Sequence, residues 1–359
     1  MTTRRKILQI SSYPPPRAGW AVRVEFLKRQ LEAEGHECVV LNIGTSRHIP
    51  SDEYETVLGG GDYVRKVWRF CGAGFLPHVH VNGSTLKGLV LSLLAAAISV
   101  LHGRRVVLTF HAGVDQQFFP RHKAPHLVPA YWLLFALSRT IVCNNEAVKR
   151  LLTRYGVRPA KIRPIPAFST QYLEERSTDL PGAMPSFLSR YPVVLFTYAR
   201  FRPTFFLPEL IDGFAIAAAQ RPDVGLLLCA DPGHSEDNLP QRIADQIETA
   251  NLRERVLVVG DLSHDQFLGA LSRSAFYVRT PVSDGVASSV LEALSLGVPV
   301  IAAENGSRPA GVITYPATDA DALGRVLLDA IGRRSEIAAA LPRPPLRDTL
   351  AEEVALLTA

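Results

Sequence analysis

The chain is poor in cysteine, with four in 359 residues and no CxxC pair. Cys38, Cys71, Cys143 and Cys229 stand far apart, and three of them lie in or beside apolar strand-like runs (CVVL, TIVC, LLLC). That pattern excludes a disulfide framework or a thiolate metal cluster and fits buried thiols in a reducing, cytoplasmic setting. No apolar run has membrane-spanning length. The longest, residues 88–101 (GLVLSLLAAAISVL), is too short and is bounded by Lys87 and by Arg104 with Arg105. The start, MTTRRKILQIS, is basic, but its apolar part is brief and meets Tyr13-Pro14-Pro15-Pro16, so no secretory signal is expected. Short repeats and low-complexity tracts are absent too. What is there is ordinary for a globular protein: 47% hydrophobic and 20% charged residues, which excludes disorder, in a length sufficient for two cores.

The charge is unevenly spread. Residues 1–170 hold 23 Lys plus Arg against 10 Asp plus Glu, whereas residues 171–359 hold 16 against 24. A basic first half can attract an anionic membrane surface, a phosphate-bearing lipid or nucleic acid, or it can be a solvated face and nothing more.

Apolar strand-like runs alternate with helix-length amphipathic stretches. In the first half the strands are expected at 6–11, 37–43, 78–82, 105–110 and 140–144, with helices between them. The rhythm stops near Pro164-Ile165-Pro166, and 169–190, polar and bearing Pro and Gly, reads as a linker. It restarts with VVLFTYA (193–199), VGLLLCA, RVLVVG, AFYVR and VPVIAA (298–303). Continuous apolar strands separated by helices predict βαβ units and parallel sheets covered on both faces. The expected fold is therefore α/β: two Rossmann-like, doubly wound domains facing a central cleft at the carboxyl ends of their strands. Their bounds are 1–168 and 191–346, and a final helix follows residues 342–346 (PRPPL).

The strongest local signal is SDGVASSVLEALSLGVPVIAA (283–303). Asp284 and Glu292 form an acidic pair separated by seven residues. Gly285 closes a loop, and a helix is expected to begin near Val286. The first-turn amides around Ala287, Ser288 and Ser289 then make an anion site, because unpaired N–H groups and the helix dipole both favour phosphate. Glu292, two turns in, can accept hydrogen bonds from ribose hydroxyls, and Asp284 is placed for a sugar. Taken alone, Asp284 reads equally as a helix cap and Glu292 as a surface charge.

This stretch resembles the acid-x7-acid element and the EAL-x-x-G-x-PV-I that follows it in retaining glycosyltransferases of family 4, which have the GT-B fold. Asp284, Glu292, Ala293, Leu294, Gly297, Pro299 and Val300 match. SSYPPPRAG (11–19), EAEGHECVVL (32–41), VVLTFHAG (106–113), YARFRPTFFLPELIDGFA (198–215) and RERVLVVGDLSHDQFLGAL (253–271) resemble further family segments along nearly the whole chain. The resemblance implies a nucleoside-diphosphate-sugar donor on the second domain and a glycan, lipid-linked or small-molecule acceptor on the first. It implies sugar transfer with retention, no metal or other cofactor, and a C-terminal helix (347–359) crossing back to the first domain. Residue by residue it implies His111, Asp284 and Glu292 as catalytic contacts. It places Gly19, Arg200, Gly285, Ala287, Ser288 and Ser289 around the donor phosphates and nucleotide; Arg202 or Arg308, in nearby strand-end loops, is expected to replace a lysine usual in the family, unless both are solvated loop charges. The pathway implied is cell-surface polysaccharide or glycoconjugate synthesis, by a cytoplasmic protein peripheral at the inner membrane face, with no nucleic-acid partner.

Departures mark a divergent subfamily. Ala199 replaces the Gly before Arg200, and Phe205-Phe206 stand where a Lys-Gly pair is usual. The missing lysine motivates another reading, a catalytically weakened nucleotide-sugar-binding or scaffold protein of the same fold. Asp319-Ala320-Asp321 reads as a helix cap with an acidic first turn and not as a metal triplet. His78 and His80 share a strand face, but one pair is not a metal site.

Overall fold

The computed structural model describes residues 4–14, 19–83, 85–111, 117–119, 121–173, 179–231, 235, 238–282, 287–306, 308–342 and 347–359. They form two compact units, residues 1–171 with 347–359, and residues 172–346.

In the first unit the strands are β1 (Lys6–Ser11), β2 (Glu37–Asn42), β3 (Glu55–Thr56), β4 (Leu76–Val81), β5 (Val106–Phe110), β6 (Ser138–Cys143) and β7 (Ile162–Pro164). They make one parallel sheet in the order β3-β2-β1-β4-β5-β6-β7. The order turns at β1 and β4, so the crevice at a doubly wound sheet's carboxyl edge opens there. The helices are α1 (Gly19–Ala33), α2 (Gly60–Gly72), α3 (Leu86–Leu101), α4 (Val128–Leu137) and α5 (Glu146–Thr153). Local chemistry starts them: Thr85 caps α3 through the Gly88 amide, and Asn145 caps α5 through the Val148 amide. α2, α3 and α4 bury Tyr63, Val67, Leu89, Ala96, Tyr131 and Phe135 in one core. The C-terminal helix, Thr349–Thr358, packs against α1.

The second unit has β8 (Val193–Arg200), β9 (Val224–Asp231), β10 (Val256–Val259), β11 (Phe276–Arg279), β12 (Val300–Ala303) and β13 (Val312–Tyr315), parallel in the order β10-β9-β8-β11-β12-β13. Its switch point lies between β8 and β11. The helices are α6 (Met184–Arg190), α7 (Leu207–Gln220), α8 (Leu239–Thr249), α9 (His264–Ser272), α10 (Ser288–Ser295), α11 (Ala320–Gly332) and α12 (Arg334–Ala340). Ser263 and Gln266 close a capping box on α9, and Asp319 accepts from the Ala322 amide at 2.8 Å, the cap expected of it.

One expectation is corrected. Residues 169–190 are not a linker throughout, because Leu180, Met184 and Phe187 are buried in the second unit's core. The fit of α6 is close: a Cβ on Gly225 of β9 would lie 2.8 Å from Phe187 and 2.7 Å from Tyr191. Polarity and prolines hid the helix, since only a few apolar positions in seven residues face the sheet. All four cysteines are buried, and none is in a disulfide. No helix among the described residues is long and apolar enough to cross a membrane.

Candidate functional site

The residues singled out in the sequence fall in both units, and each group is built within its own.

In the second unit, Glu292 is central. It lies on α10 and is 3% exposed, on a helix that also buries Val290, Ala293 and Leu294. Its carboxyl has neither an ionic nor a hydrogen-bonding partner among the described residues, and burial alone pushes its pKa up to about 8. At neutral pH it is largely a neutral acid. α10 begins at Ser288, and Ala287 at the cap offers no side-chain bond, so Ser288 and Ser289 start a helix whose first amides face no capping side chain. Asp284 and Gly285 lie outside the described residues.

Arginines gather at the switch point. Arg200 ends β8 and Arg279 ends β11, the two strands that flank the crevice. Burial lowers the Arg200 pKa first, and the like charges of Arg202 and Arg279 add to it. Arg202 follows after a tight turn in which its amide donates to the Arg200 carbonyl at 2.7 Å. Arg279 donates to the Tyr198 carbonyl at 3.1 Å and lies 5.5 Å from the centre of the Phe205 ring. Arg308 donates to the carbonyls of Ala303 (2.9 Å) and Pro281 (2.6 Å), tying the ends of β12 and β11 together. Arg279 was missed in the sequence because AFYVR reads only as a strand; its place at a strand end beside the switch point is the signal that finds it.

The Phe205-Phe206 departure has a structural meaning. Phe206 has φ +48°, in the left-handed region that favours glycine. The backbone keeps the shape a Lys-Gly pair suits, at a strain of roughly 1–3 kcal/mol. The Arg279 guanidinium brings a positive charge to the ring of Phe205, beside the missing ammonium's place in the chain.

In the first unit, His111 follows β5. Its amide donates to the Val81 carbonyl at 2.7 Å and its carbonyl accepts from Asn144 Nδ2 at 3.1 Å. Its Nε2 lies 2.9 Å from His80 Nδ1, and His80 Nε2 lies 2.9 Å from Gln9 Oε1. The rings of His80 and His111 stack, and Trp20 of α1 meets His111 edge-on. Burial pushes the pKa of His111 down to about 4 and that of His80 well below its ordinary value, so both are neutral near pH 7. Gln9 Oε1 only accepts, so His80 presents Nε2–H to it and keeps a lone pair on Nδ1. That lone pair accepts from His111 Nε2–H and leaves His111 with a lone pair on Nδ1. His80 and Gln9 were missed as partners of His111 because three strands, β1, β4 and β5, bring them together. Gly19 is the first residue of α1, and the loop before it lies outside the described residues.

Behind this group is an ion pair. Arg23 of α1 donates to Glu353 Oε2 through Nε (2.9 Å) and Nη2 (2.6 Å), and to Thr349 Oγ1 and O at 2.8 Å each. The other carboxylate oxygen accepts from Thr109 Oγ1 at 3.0 Å, with His78 Nε2 at 3.5 Å. Burial alone would raise the Glu353 pKa, but Arg23, His78 and the donated bonds lower it below its ordinary value. Among the described residues no group of three or more His, Cys, Asp or Glu is arranged to hold a metal ion.

A pair of doubly wound parallel-sheet units, the second with a basic switch point ahead of a helix N-terminus, is the architecture of sugar-transferring GT-B enzymes. Residues 18–168 match the model for Glycosyltransferase Family 4, and residues 187–317 match that for Glycosyl transferases group 1. The chain belongs to the GT-B glycosyltransferases. A glycosyltransferase from Rickettsia africae ESF-5 superposes with a TM-score of 0.70 at 14% identity over 98% of both chains. The Anabaena protein HepE in complex with UDP and glucose superposes with 0.67 at 18% identity, over 99% of this chain and 95% of that one. Sucrose-phosphate synthase from Thermosynechococcus elongatus gives 0.66 at 19% identity, over 99% and 95%. At these identities the likeness carries the fold alone. No curated protein sequence matches the chain significantly.

Proposed function

We propose that the chain transfers a glycosyl group from a nucleoside-diphosphate sugar to a glycan, lipid-linked or small-molecule acceptor, with retention, in cell-surface polysaccharide or glycoconjugate synthesis. The observation that carries the donor half is Glu292, a buried carboxyl without partners among the described residues, on the helix that follows the arginine-lined switch point. Ribose hydroxyls supply what it lacks, and Arg200, Arg202 and Arg279 with the first amides of α10 meet the diphosphate. The negative charge that grows on the departing diphosphate is met by those same groups, with neither a metal nor another cofactor. Asp284 and the His111 Nδ1 lone pair are assigned to the donor sugar, Arg308 to the ordering of the β11 and β12 loops, and Gly19 to the phosphates. The acceptor is assigned to the first unit. The basic surplus of that unit supports a peripheral contact with an anionic membrane.

The test is incubation with a panel of radiolabelled nucleotide sugars, reading release of the nucleoside diphosphate. Release from one donor is expected, and Glu292→Ala should weaken nucleoside-diphosphate binding by ~1.5–3 kcal/mol in calorimetry. Binding without turnover across the panel and added acceptors would instead favour the weakened binding protein that Phe205 and Phe206 suggest.

A further inference from the structure

Ten of the twelve large apolar side chains that stand exposed among the described residues lie on or beside α2, α3 and α4. These helices share one core, and α3 packs against both of the others. The outer side of α3 runs Leu86, Val90, Leu94, Ala97 and Leu101 at helical spacing, with Lys87 as its one charge. A surface helix ordinarily turns polar residues outward; this one is apolar on both sides. α4 has no charged residue, and its outer side shows Trp132 (55% exposed) and Leu133 (44%). Trp68 of α2, half exposed, stands edge-on to His102 at the end of α3.

The rim of this face is basic. Residues 76–170 contain twelve Lys plus Arg and two Asp plus Glu. Lys87, Arg105, Arg121, Arg154 and Arg158 make no ion pair with a described residue. Next to α4 an open recess of about 500 Å³ is lined by Arg121, His122, Pro125, Leu151, Arg154 and Tyr155. The Trp132 indole lies beside Gly156, and the Tyr155 ring packs against Tyr131 and Phe135 of α4, so the recess adjoins the apolar face.

We infer that the α3–α4 face docks on an anionic lipid bilayer, with Trp132, Leu133 and the outer side of α3 in the interface and a headgroup phosphate in the Arg121–Arg154 recess. The inference deepens the peripheral contact of the proposed function and rests on it, and it does not depend on sugar transfer. Charge selects the occupant. A second copy seated on this face would bring one basic rim against another, which disfavours it. An anionic bilayer satisfies both halves, taking apolar side chains into its interface and drawing each nearby Lys or Arg electrostatically.

The full chain is mixed with phosphatidylcholine vesicles, alone and with phosphatidylglycerol, and partition is read by co-sedimentation and by the tryptophan emission wavelength. Expected is partition onto the phosphatidylglycerol vesicles with a blue shift, and little onto phosphatidylcholine alone. Arg121→Ala with Arg154→Ala should weaken that partition by about tenfold or more. Trp132→Ser with Leu133→Ser should weaken it by about tenfold. Trp132→Phe, which keeps the packing, should retain partition and lose most of the shift. Variants are compared at matched nucleoside-diphosphate affinity, which reads the second unit and shows whether sugar-nucleotide binding survives on its own. Equal partition of wild type and variants, or none onto anionic vesicles, overturns the inference. So does a concentration-dependent dimer in sedimentation velocity that Trp132→Ser disperses.

Discussion

Glu353 in the first unit and Glu292 in the second are both carboxyls buried on helices, yet their surroundings are opposite. Glu353 accepts from Arg23 and Thr109 and sits beside His78, so its charge is held. Glu292 has no such partner among the described residues, and burial suppresses its charge. A buried charge with full partnership is a closure device, and breaking it leaves the partner stranded. A buried acid without partners weakens the fold once pH rises, which makes sense where a ligand completes it. The contrast tells structure from site more sharply than burial itself.

The largest effect should come from breaking the closed side. Glu353→Ala removes the buried carboxylate that accepts two bonds from Arg23 and leaves the guanidinium buried with its bonds to Thr349 and Ala167, and unfolding should cost about 3–5 kcal/mol less, read by urea denaturation. Removing both partners, Arg23→Met with Glu353→Leu, should be much milder; equal damage from both would mean that helix packing and not charge is at stake.

The open side should respond in the other direction. Glu292 has a folded pKa of about 8 against an ordinary 4.5. Its penalty is absent below the ordinary value, grows as pH rises through that window, and is complete above about 8. Glu292→Gln should therefore raise stability by up to about 5 kcal/mol at alkaline pH, with little change in acid, while weakening nucleoside-diphosphate binding. The first unit has the reverse slope. Its histidines have depressed pKa values, about 4 for His78 and His111, and Glu353 is depressed as well. The stability these groups give is present near neutrality and is lost as pH falls through the ordinary histidine and then carboxylate ranges. Thermal unfolding followed across pH should show the first unit failing in acid and the second losing ground in base. A single common slope would erase the comparison.

A smaller effect tests the arginines proposed to meet the diphosphate. Arg200→Ala and Arg279→Ala should each weaken nucleoside-diphosphate binding by ~1.5–3 kcal/mol. If Arg279→Ala binds like wild type, Arg279 does not stand in for the missing lysine. The smallest effect is expected at His80. His80→Leu removes the acceptor that fixes the His111 tautomer, so turnover should fall about fivefold, or roughly 1 kcal/mol, with nucleotide affinity unchanged. The ring nitrogen shifts of His111 should move toward a tautomer mixture in NMR; unmoved shifts would leave His80 as packing only.

Much of this was legible in the sequence. The alternation of apolar runs and amphipathic stretches located most strands because parallel strands are continuous in hydrophobicity. β3, β7 and β13 escaped, being edge strands of two to four residues. Glu292 was found by its motif, but its isolation was not, since burial depends on α10 packing against the sheet. The Gln9–His80–His111 chain was invisible because its members are separated by 71 and 31 residues. The Arg23–Glu353 pair, 330 residues apart, was equally out of reach.

That last separation has a consequence in time. Chains emerge from the ribosome from the N-terminus, and domains usually fold in that order. Here the partner that neutralises Arg23 is made 330 residues later. Residues 172–346 hold every strand and helix of their own sheet, so the second unit can settle while the first still waits with an exposed apolar flank on α1. The unit begun first is finished last, and a chain stopped at residue 346 would be released with its opening half unsealed.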